Sequence, residues 1–191
     1  RARAAEVRAE ARFVRAEPVH AIAEACARNG PWNVVTMGSA IRRGGTGLSL
    51  DALFAHVHAT TGIVVAGPRA RRTSGPVIAV VDDLERTVPM LRAAKRIASA
   101  TGSEAQLWLL DHEQGRHDWF EGQVRLALGN NFAIKLEVVD MGLETPRTAA
   151  EMMRRAGAGF VIARFGGLLV PDQEDAAPLA EILDGPLFLV R

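Results

Sequence analysis

Residues 77–83, with the sequence VIAVVDD, decide the fold, because five apolar residues rich in β-branched side chains lead directly into two aspartates. An apolar run of this length bounded by polar residues predicts a strand buried on both faces of a sheet. Residues 85–100 follow with apolar positions at helical spacing and stop at Gly102, which predicts a helix closed by a glycine. Strand followed by helix in this order predicts a parallel α/β unit.

The same alternation continues to the last residue. Further strands are predicted at 106–110, 132–139, 160–163 and 187–190, and further helices at 117–128, 145–155 and 175–183. The clearest helix start is at Thr145, which suits the N-cap, followed by Pro146 at the first helical position. These elements predict a complete five-stranded parallel unit over residues 76–191, with right-handed crossovers and helices on both faces.

The first 67 residues repeat the last part of that order. Strands are predicted at 10–15, 33–37 and 63–65, and helices at 18–28 and 50–58. The Ala, Arg and Glu content of residues 1–17 equally suits an exposed helix. We therefore expect a partial unit at 1–67, a linker at 68–75 and the complete unit at 76–191. A linker this short implies that the two units touch.

Spacing supports an internal duplication. Pro18 opens the first helix, and Gly38 closes the strand that follows it. Pro146 and Gly166 have the same roles near the end of the chain, at the same interval. Between these anchors, residues 34–38 are matched with residues 161–165, with the second glycine, Gly166, one place later, and the match predicts a tandem repeat.

Composition excludes several classes of protein. The chain of 191 residues has a net charge of +1, so no strong field attracts nucleic acid, and we expect no nucleic-acid partner. Cys26 is the single cysteine, which excludes an intrachain disulfide and favours a buried small side chain and a cytoplasmic location. No apolar run approaches the length of a membrane span, and no signal peptide is visible. We expect no membrane segment within this chain.

Two short motifs resemble those of the universal stress protein family. Residues 79–87 (AVVDDLERT) match the strand of that family that ends in Val-Asp, at Asp82, and its distant Ser or Thr, at Thr87, although the family's Gly-Ser is absent. Residues 35–39 (VTMGS) match the end of the family's fourth strand. The resemblance covers the whole chain as a tandem whose first copy lacks two strands. It implies an α/β fold with a Rossmann-like parallel sheet of the adenine-nucleotide-hydrolase type.

The resemblance also implies where a nucleotide would bind. In members that bind nucleotides, the first-strand aspartate contacts adenine, and a glycine-rich loop after the fourth strand holds the phosphates. Backbone N–H groups in such loops bind anions, and glycine permits close approach. Here the candidate residues for ATP or AMP are Asp82, Gly38, Ser39, Arg42, Arg43, Gly44, Gly45, Thr46 and Gly47.

Each copy nevertheless lacks half of this site. The loop after residue 38 has Ile41 where the family pattern has glycine, and its copy has no first strand to supply an aspartate. The second copy has Asp82, but its loop at 164–172 (RFGGLLVPD) contains large apolar residues and Pro171, which cannot present a run of donors. We expect the acidic residues that follow to cap a helix, where they would repel phosphate: Asp172, Glu174 and Asp175.

Other chemistry has little support. The nucleotide signatures GxxxxGK[ST] and GxGxxG, the nucleophile elbow GxSxG and zinc-ligand spacings are all absent, so we expect no catalytic residue and no metal. His56 and His58 are two residues apart and do not share a helix face. Ligands often bind near the end of the second strand, but we expect loop surface for the polar residues there: His112, Glu113, His117 and Asp118.

The favoured hypothesis is a non-enzymatic stress-response or regulatory module that acts through dimerisation or docking to a protein partner. In relatives of the family the last strand often mediates dimer pairing, and the tandem copies would pair it internally as a pseudo-dimer. One alternative is an ATP- or AMP-binding sensor that uses the loop at 38–47, with Arg42 and Arg43 on the phosphates. Another is a cytosolic regulatory domain of a transporter or sensor kinase.

Overall fold

The computed structural model describes residues 13–29, 32–38, 50–56, 59–72, 74–111, 116–129, 134–171 and 176–190. Its helices are α1 (Pro18–Asn29), α2 (Leu50–His56), α3 (Thr87–Thr101), α4 (His117–Leu128), α5 (Pro146–Arg155) and α6 (Ala177–Ile182). Its strands are β1 (Trp32–Gly38), β2 (Ala59–Ala66), β3 (Val77–Val81), β4 (Ala105–Asp111), β5 (Lys135–Asp140), β6 (Phe160–Arg164) and β7 (Leu187–Val190). A single 3-10 turn, Leu84–Arg86, precedes α3.

The seven strands form one sheet in the order β1-β2-β7-β6-β3-β4-β5. Neighbouring strands are parallel throughout, except that β2 and β7 pair antiparallel. The predicted α/β class is confirmed. Five neighbouring strands, β7, β6, β3, β4 and β5, run parallel to one another. The short strands of the first part do not build a separate sheet, because β2 extends the same sheet through β7.

The core lies on both faces of this sheet. All five residues of β3 are at most 2% exposed, which confirms a strand buried on both faces. On one face, Ile78 and Val80 join a cluster that includes residues of α2, α5 and α6, with part of α1 packed against it. On the other face, Val77 and Ala79 pack with residues of α3 and α4. The alternation of side chains along each strand assigns neighbouring residues to opposite clusters.

Helix ends follow the predicted local chemistry. Gly102 closes α3 with a φ of 65°, a left-handed conformation that suits glycine. The Thr145 hydroxyl accepts a hydrogen bond from the backbone N–H of Thr148 at 3.2 Å, and Pro146 is the first residue of α5, as predicted. The α3 helix begins later than predicted because Asp83 caps the 3-10 turn and accepts from the Glu85 N–H at 2.9 Å.

The predicted strand at 10–15 is wrong where the structure describes it. Residues 13–15 are not in a strand, and Phe13 is fully exposed. The chain here leads into α1, whose first N–H groups are satisfied by the Glu17 carboxylate: it accepts from Val19 at 3.1 Å and from His20 at 2.8 Å. Local capping of α1 thus replaces strand pairing.

The predicted alignment of residues 34–38 with 161–165 is shifted by one residue. Val35 packs against the same core cluster as Val161, whereas Val34 is exposed on the opposite face. Because side chains alternate along a strand, a shift of one residue places every side chain on the wrong face. Structurally, Val34 therefore takes the face of Ile162, and Val35 the face of Val161.

The predicted linker lies against the second unit. The backbone N–H of Arg72 donates to the Asp184 carbonyl at 3.1 Å. Gly67 lies so close to α6 that an added Cβ would be 1.7 Å from the Ala180 carbonyl oxygen.

Of the helices in the described ranges, none combines the length and the apolar character that crossing a bilayer requires.

Candidate functional site

The candidate site lies at the carboxyl ends of β3 and β4. From β3 the chain continues to β4 on one side, whereas β6 pairs on the other side, and such a change of direction opens a crevice in a parallel sheet. A cavity of about 340 Å³ occupies this position. Its walls are Asp82, Asp83, Leu84, Leu110, Asp111, Arg116, Trp119, Phe120, Arg164 and Leu168.

Asp82 lies at the bottom of this crevice and is bonded within its own chain. Its side chain is only 5% exposed. Oδ2 accepts a hydrogen bond from the Leu168 backbone N–H at 2.6 Å, and Oδ1 lies 3.3 Å from Nε of Arg164. Oδ1 therefore has a partner in the last residue of β6, and Oδ2 has one in the segment that follows β6.

That segment folds back over Asp82 and does not form an open anion loop. Gly166 has a φ of 76°, and its N–H donates to the Val170 carbonyl at 2.9 Å. Leu169 and Val170 are each 1% exposed and belong to the core. This supports the expectation that the apolar residues here do not offer a row of N–H donors to phosphate.

Gly167 makes this closure sterically allowed. A Cβ added at this position would lie 2.2 Å from Oδ2 of Asp82, closer than side chains approach in proteins. Sequence reasoning treated Gly167 only as part of a loop and missed this contact. The available signal was the pair of glycines between a strand and three large apolar residues, since consecutive glycines often mark a close approach of the backbone to another group.

The outer wall of the crevice contains a charged and an aromatic side chain. The Arg116 guanidinium lies 4.9 Å from the centre of the Trp119 ring, a cation–π arrangement. Trp119 is 49% exposed. Asp83 has a structural role, because its carboxylate caps the turn before α3. The crevice thus presents one exposed ring beside carboxylates that already have partners.

His117 lies between two carboxylates at the edge of this site, so the expectation of plain loop surface was wrong for this residue. Its Nδ1 is 3.5 Å from Asp111 Oδ2, and its Nε2 is 3.4 Å from Asp140 Oδ2. The side chain is one-quarter exposed. As the first residue of α4, His117 links that helix to the ends of β4 and β5. In the described ranges, no group of three or more His, Cys, Asp or Glu residues has a metal-binding arrangement.

Gly38 and Asp82, which belong to the two predicted halves of the nucleotide site, lie at opposite ends of the strands in the sheet. Gly38 ends β1 and Asp82 follows β3, with β2, β7 and β6 between these strands. Because β2 pairs antiparallel with β7, the strands β1 and β3 run in opposite directions. The carboxyl end of β1 therefore lies on the same side of the sheet as the amino end of β3. The structure therefore does not bring Gly38 and Asp82 together. Several residues named in the sequence analysis lie outside the described residues. Those of the predicted loop are Ser39, Arg42, Arg43, Gly44, Gly45, Thr46 and Gly47, and the others are His58, His112, Glu113, Asp172, Glu174 and Asp175.

Two titratable groups near α1 have shifted pKa values. The backbone N–H groups of His20 and Val19 donate to the Glu17 carboxylate and hold its pKa below the ordinary value. Burial raises the pKa of the Cys26 thiol, which packs partly against the core. A raised pKa disfavours the thiolate, so Cys26 lacks the activation of a nucleophilic cysteine.

Comparison with known proteins shows which solved structures have a similar fold. No protein-family model matches the chain, and no curated protein matches it. Among solved structures, a universal stress protein from Archaeoglobus fulgidus DSM 4304 is similar with a TM-score of 0.65 and 13% sequence identity, over 99% of this chain and 71% of that chain. A functionally unknown protein from Pseudomonas aeruginosa PAO1 is similar with a TM-score of 0.56 and 13% identity, over 93% of this chain and 68% of that chain. The chain has the fold of a universal stress protein.

Proposed function

We propose that the chain is a cytoplasmic, non-enzymatic regulatory module of the universal stress type that acts by pairing or docking and has degenerate nucleotide sites. The observation that carries this proposal is the closure of Asp82. Its Oδ2 accepts from the Leu168 N–H, and its Oδ1 faces Arg164, so the carboxylate that would contact a base is engaged by its own chain. A ligand would have to break a buried, charge-assisted hydrogen bond to reach it.

The sheet polarity adds independent support. The predicted phosphate loop starts at Gly38, at the opposite strand ends from Asp82, which supports two separate and degenerate half-sites. Each half therefore lacks what the other has, and both remain incomplete.

The pairing of β2 with β7 supports the pseudo-dimer part of the proposal. Three residue pairs, Ile63 with Leu189, Val64 with Phe188 and Val65 with Leu187, join the last strand of the first part to the last strand of the chain. Antiparallel pairing of equivalent strands is the arrangement that a two-fold axis produces between identical subunits. The edge of β7 that would otherwise be open is thus covered by the chain itself.

Calorimetric titration with ATP and Mg²⁺ tests the proposal, with Asp82→Ala and the double variant Gly44→Ala/Gly45→Ala as matched proteins. We expect no heat above dilution for any of them, and no phosphate release above the protein-free rate. Binding that Asp82→Ala abolishes would contradict the closure of this crevice. Binding that survives Asp82→Ala but disappears in the double variant would identify the ATP- or AMP-sensor alternative instead.

A further inference from the structure

The linker between the two parts of the sheet carries basic side chains on a fixed backbone. Three of its residues are exposed arginines: Arg69, Arg71 and Arg72. At the start of the linker, a Cβ added at Gly67 would lie 1.7 Å from the Ala180 carbonyl oxygen. At its end, a Cβ added at Gly75 would lie 2.2 Å from the Gly157 carbonyl oxygen. Because this backbone is already ordered, its side chains lose less conformational freedom when they bind a ligand.

The linker also lies against the end of α5, which contributes further positive charge. A Cβ added at Gly157 would lie 3.5 Å from Nη1 of Arg72. The Gly159 N–H donates to the Pro76 carbonyl at 2.9 Å, so the linker runs beside the residues that follow α5. The last turn of α5 adds two basic side chains, Arg154 and Arg155. We call the five arginines at this end of β3 and β6 the basic surface: Arg69, Arg71, Arg72, Arg154 and Arg155.

Little of the charge on the basic surface is neutralised within the described part of the chain. Of its five arginines, Arg155 alone has a described carboxylate within reach, with Nη2 at 4.0 Å from Oε2 of Glu151. The Nε of Arg154 has no hydrogen-bond partner among the described residues. Acidic residues described at this end of the sheet form no ion pair with the basic surface: Glu104, Glu181 and Asp184. The basic surface therefore keeps its charge for an anion from outside the chain.

The residue types around the basic surface favour a carboxylate-rich ligand. Guanidinium groups bind carboxylates and phosphates through paired hydrogen bonds. Surfaces that bind single-stranded nucleic acid add aromatic rings for stacking, and surfaces that bind membranes add apolar side chains that insert. Residues 67–76 and 154–159 contain neither an aromatic nor a large aliphatic residue. The basic surface thus offers charge and hydrogen-bond donors alone, which suits an acidic peptide segment.

We propose that the basic surface docks an acidic segment of a partner protein. Carboxylates of this segment pair with Arg69, Arg71 and Arg72 of the linker. The two arginines at the end of α5 extend the same contact. Residues 69–72 span at most about 10 Å, and an extended peptide advances about 3.3 Å per residue, so a short run of Asp and Glu can follow them. The inference rests on the proposed docking function and names its surface and the chemistry of the partner.

Fluorescence anisotropy of a labelled polyglutamate peptide, titrated with the full chain at low ionic strength, tests the inference. The test variant is Arg71→Gln/Arg72→Gln, which removes two charges from the basic surface. The matched control is Arg92→Gln/Arg96→Gln, which removes two exposed charges from α3, on the opposite face of the sheet from α5. All four positions are exposed, so both variants should keep the fold, and circular dichroism verifies this.

We expect wild type and control to bind the peptide equally, and the Kd of the test variant to be about tenfold higher, because two charge-assisted contacts are lost. Physiological ionic strength should weaken wild-type binding, since exposed charges are screened. Equal binding by the test and control variants, or no binding by wild type, would overturn the inference. A short DNA duplex or phosphatidylserine vesicles that bind more tightly through the same arginines would also overturn it. None of these results bears on the closed Asp82 crevice, which the nucleotide titration tests separately.

Discussion

β1 and β6 are both apolar, both follow a helix, and both pair in parallel with a final strand, yet they are buried to different degrees. Ile162 on β6 is fully buried, whereas Val34 on the corresponding face of β1 is 39% exposed. The difference arises from the neighbours: β6 has β3 at its other edge and α3 over its face, and β1 is the end strand of the described sheet. Burial of a strand thus depends on which elements the chain places beside it.

The loops after the two strands differ in the same way. After β6, the chain turns at Gly166 and Gly167 and closes over Asp82. At the end of β1, no atom of the described residues lies within 4 Å of a Cβ added at Gly38. The segment after β6 is bound into the core, and among the contacts of the described residues glycine has a steric role after β6 but not at Gly38.

The largest expected difference between the two strands is in truncation of apolar side chains on their corresponding faces. Ile162→Ala should lower the free energy of unfolding by about 2–5 kcal/mol, because it leaves a cavity in a fully buried cluster. Val34→Ala should change it by less than about 0.5 kcal/mol, because an exposed side chain buries little on folding. Urea unfolding measures both. Comparable losses for the two variants would show that Val34 is packed and that the comparison fails.

The junction between the two parts of the sheet should be the next most sensitive. Gly62 has a φ of 155°, and an added Cβ would lie 2.2 Å from the Leu189 carbonyl oxygen across the β2–β7 pair. Gly62→Ala should destabilise the protein by about 1–3 kcal/mol, since backbone atoms must move apart.

Gly122 offers a control of opposite sign for the junction variant. It lies in α4 with no neighbour within 4 Å of an added Cβ. Gly122→Ala should stabilise by about 0.5–1 kcal/mol, because alanine favours helix. Thermal unfolding followed by circular dichroism measures both variants. A neutral Gly62→Ala would indicate that β2 and β7 do not approach this closely.

The loops after the strands provide a third, somewhat smaller contrast. Gly167→Ala should cost about 1–2 kcal/mol, because the Asp82 carboxylate, which can move more easily than backbone, must leave the Leu168 N–H. Gly38→Ala should be nearly neutral. Chemical denaturation compares the two, and the exchange rate of the Leu168 amide reports directly on the hydrogen bond. An unchanged Leu168 amide in Gly167→Ala would argue against the closure of Asp82.

The smallest effect concerns the helices that precede the two strands. The cap of α1 is the Glu17 carboxylate, whose pKa is lowered by the N–H groups it accepts from, whereas α5 is capped by the neutral Thr145 hydroxyl. Because the pKa of Glu17 in the folded protein lies below the ordinary glutamate value of 4.5, the contribution of Glu17 is present above about pH 4.5 and is lost as pH falls through the lowered pKa.

Glu17→Gln tests this sign. The difference in thermal midpoint between wild type and variant should be constant from pH 7 to pH 5 and should shrink towards zero as pH falls below the ordinary glutamate range. The matched control is Thr145→Ala, which removes the cap of α5 and should lower the midpoint by an amount that does not change over the same pH range. A Glu17→Gln difference that grows on acidification would contradict the assigned cap.

Some of the fold is readable because the responsible interactions are local or periodic. The apolar run of β3 indicates a strand buried on both faces, and Thr145 with Pro146 defines the start of α5. By contrast, the predicted strand at 10–15 was wrong over its described residues, 13–15, because a short amphipathic sequence suits several structures until a neighbour is available. The shifted alignment of residues 34–38 has the same origin: consecutive apolar residues do not say which of them faces the core.

The alternation of strands and helices, most of their approximate ends and the α/β class can be predicted from the amino-acid sequence, because hydrophobic periodicity, helix caps and terminating glycines act within a few residues. Three features depend on the packing of whole elements: β2 pairs antiparallel with β7, Gly38 and Asp82 therefore lie at opposite strand ends, and the Leu168 N–H donates to Asp82. These contacts join residues far apart in the chain, and their geometry is set by how whole elements pack. No local pattern in the sequence encodes that packing.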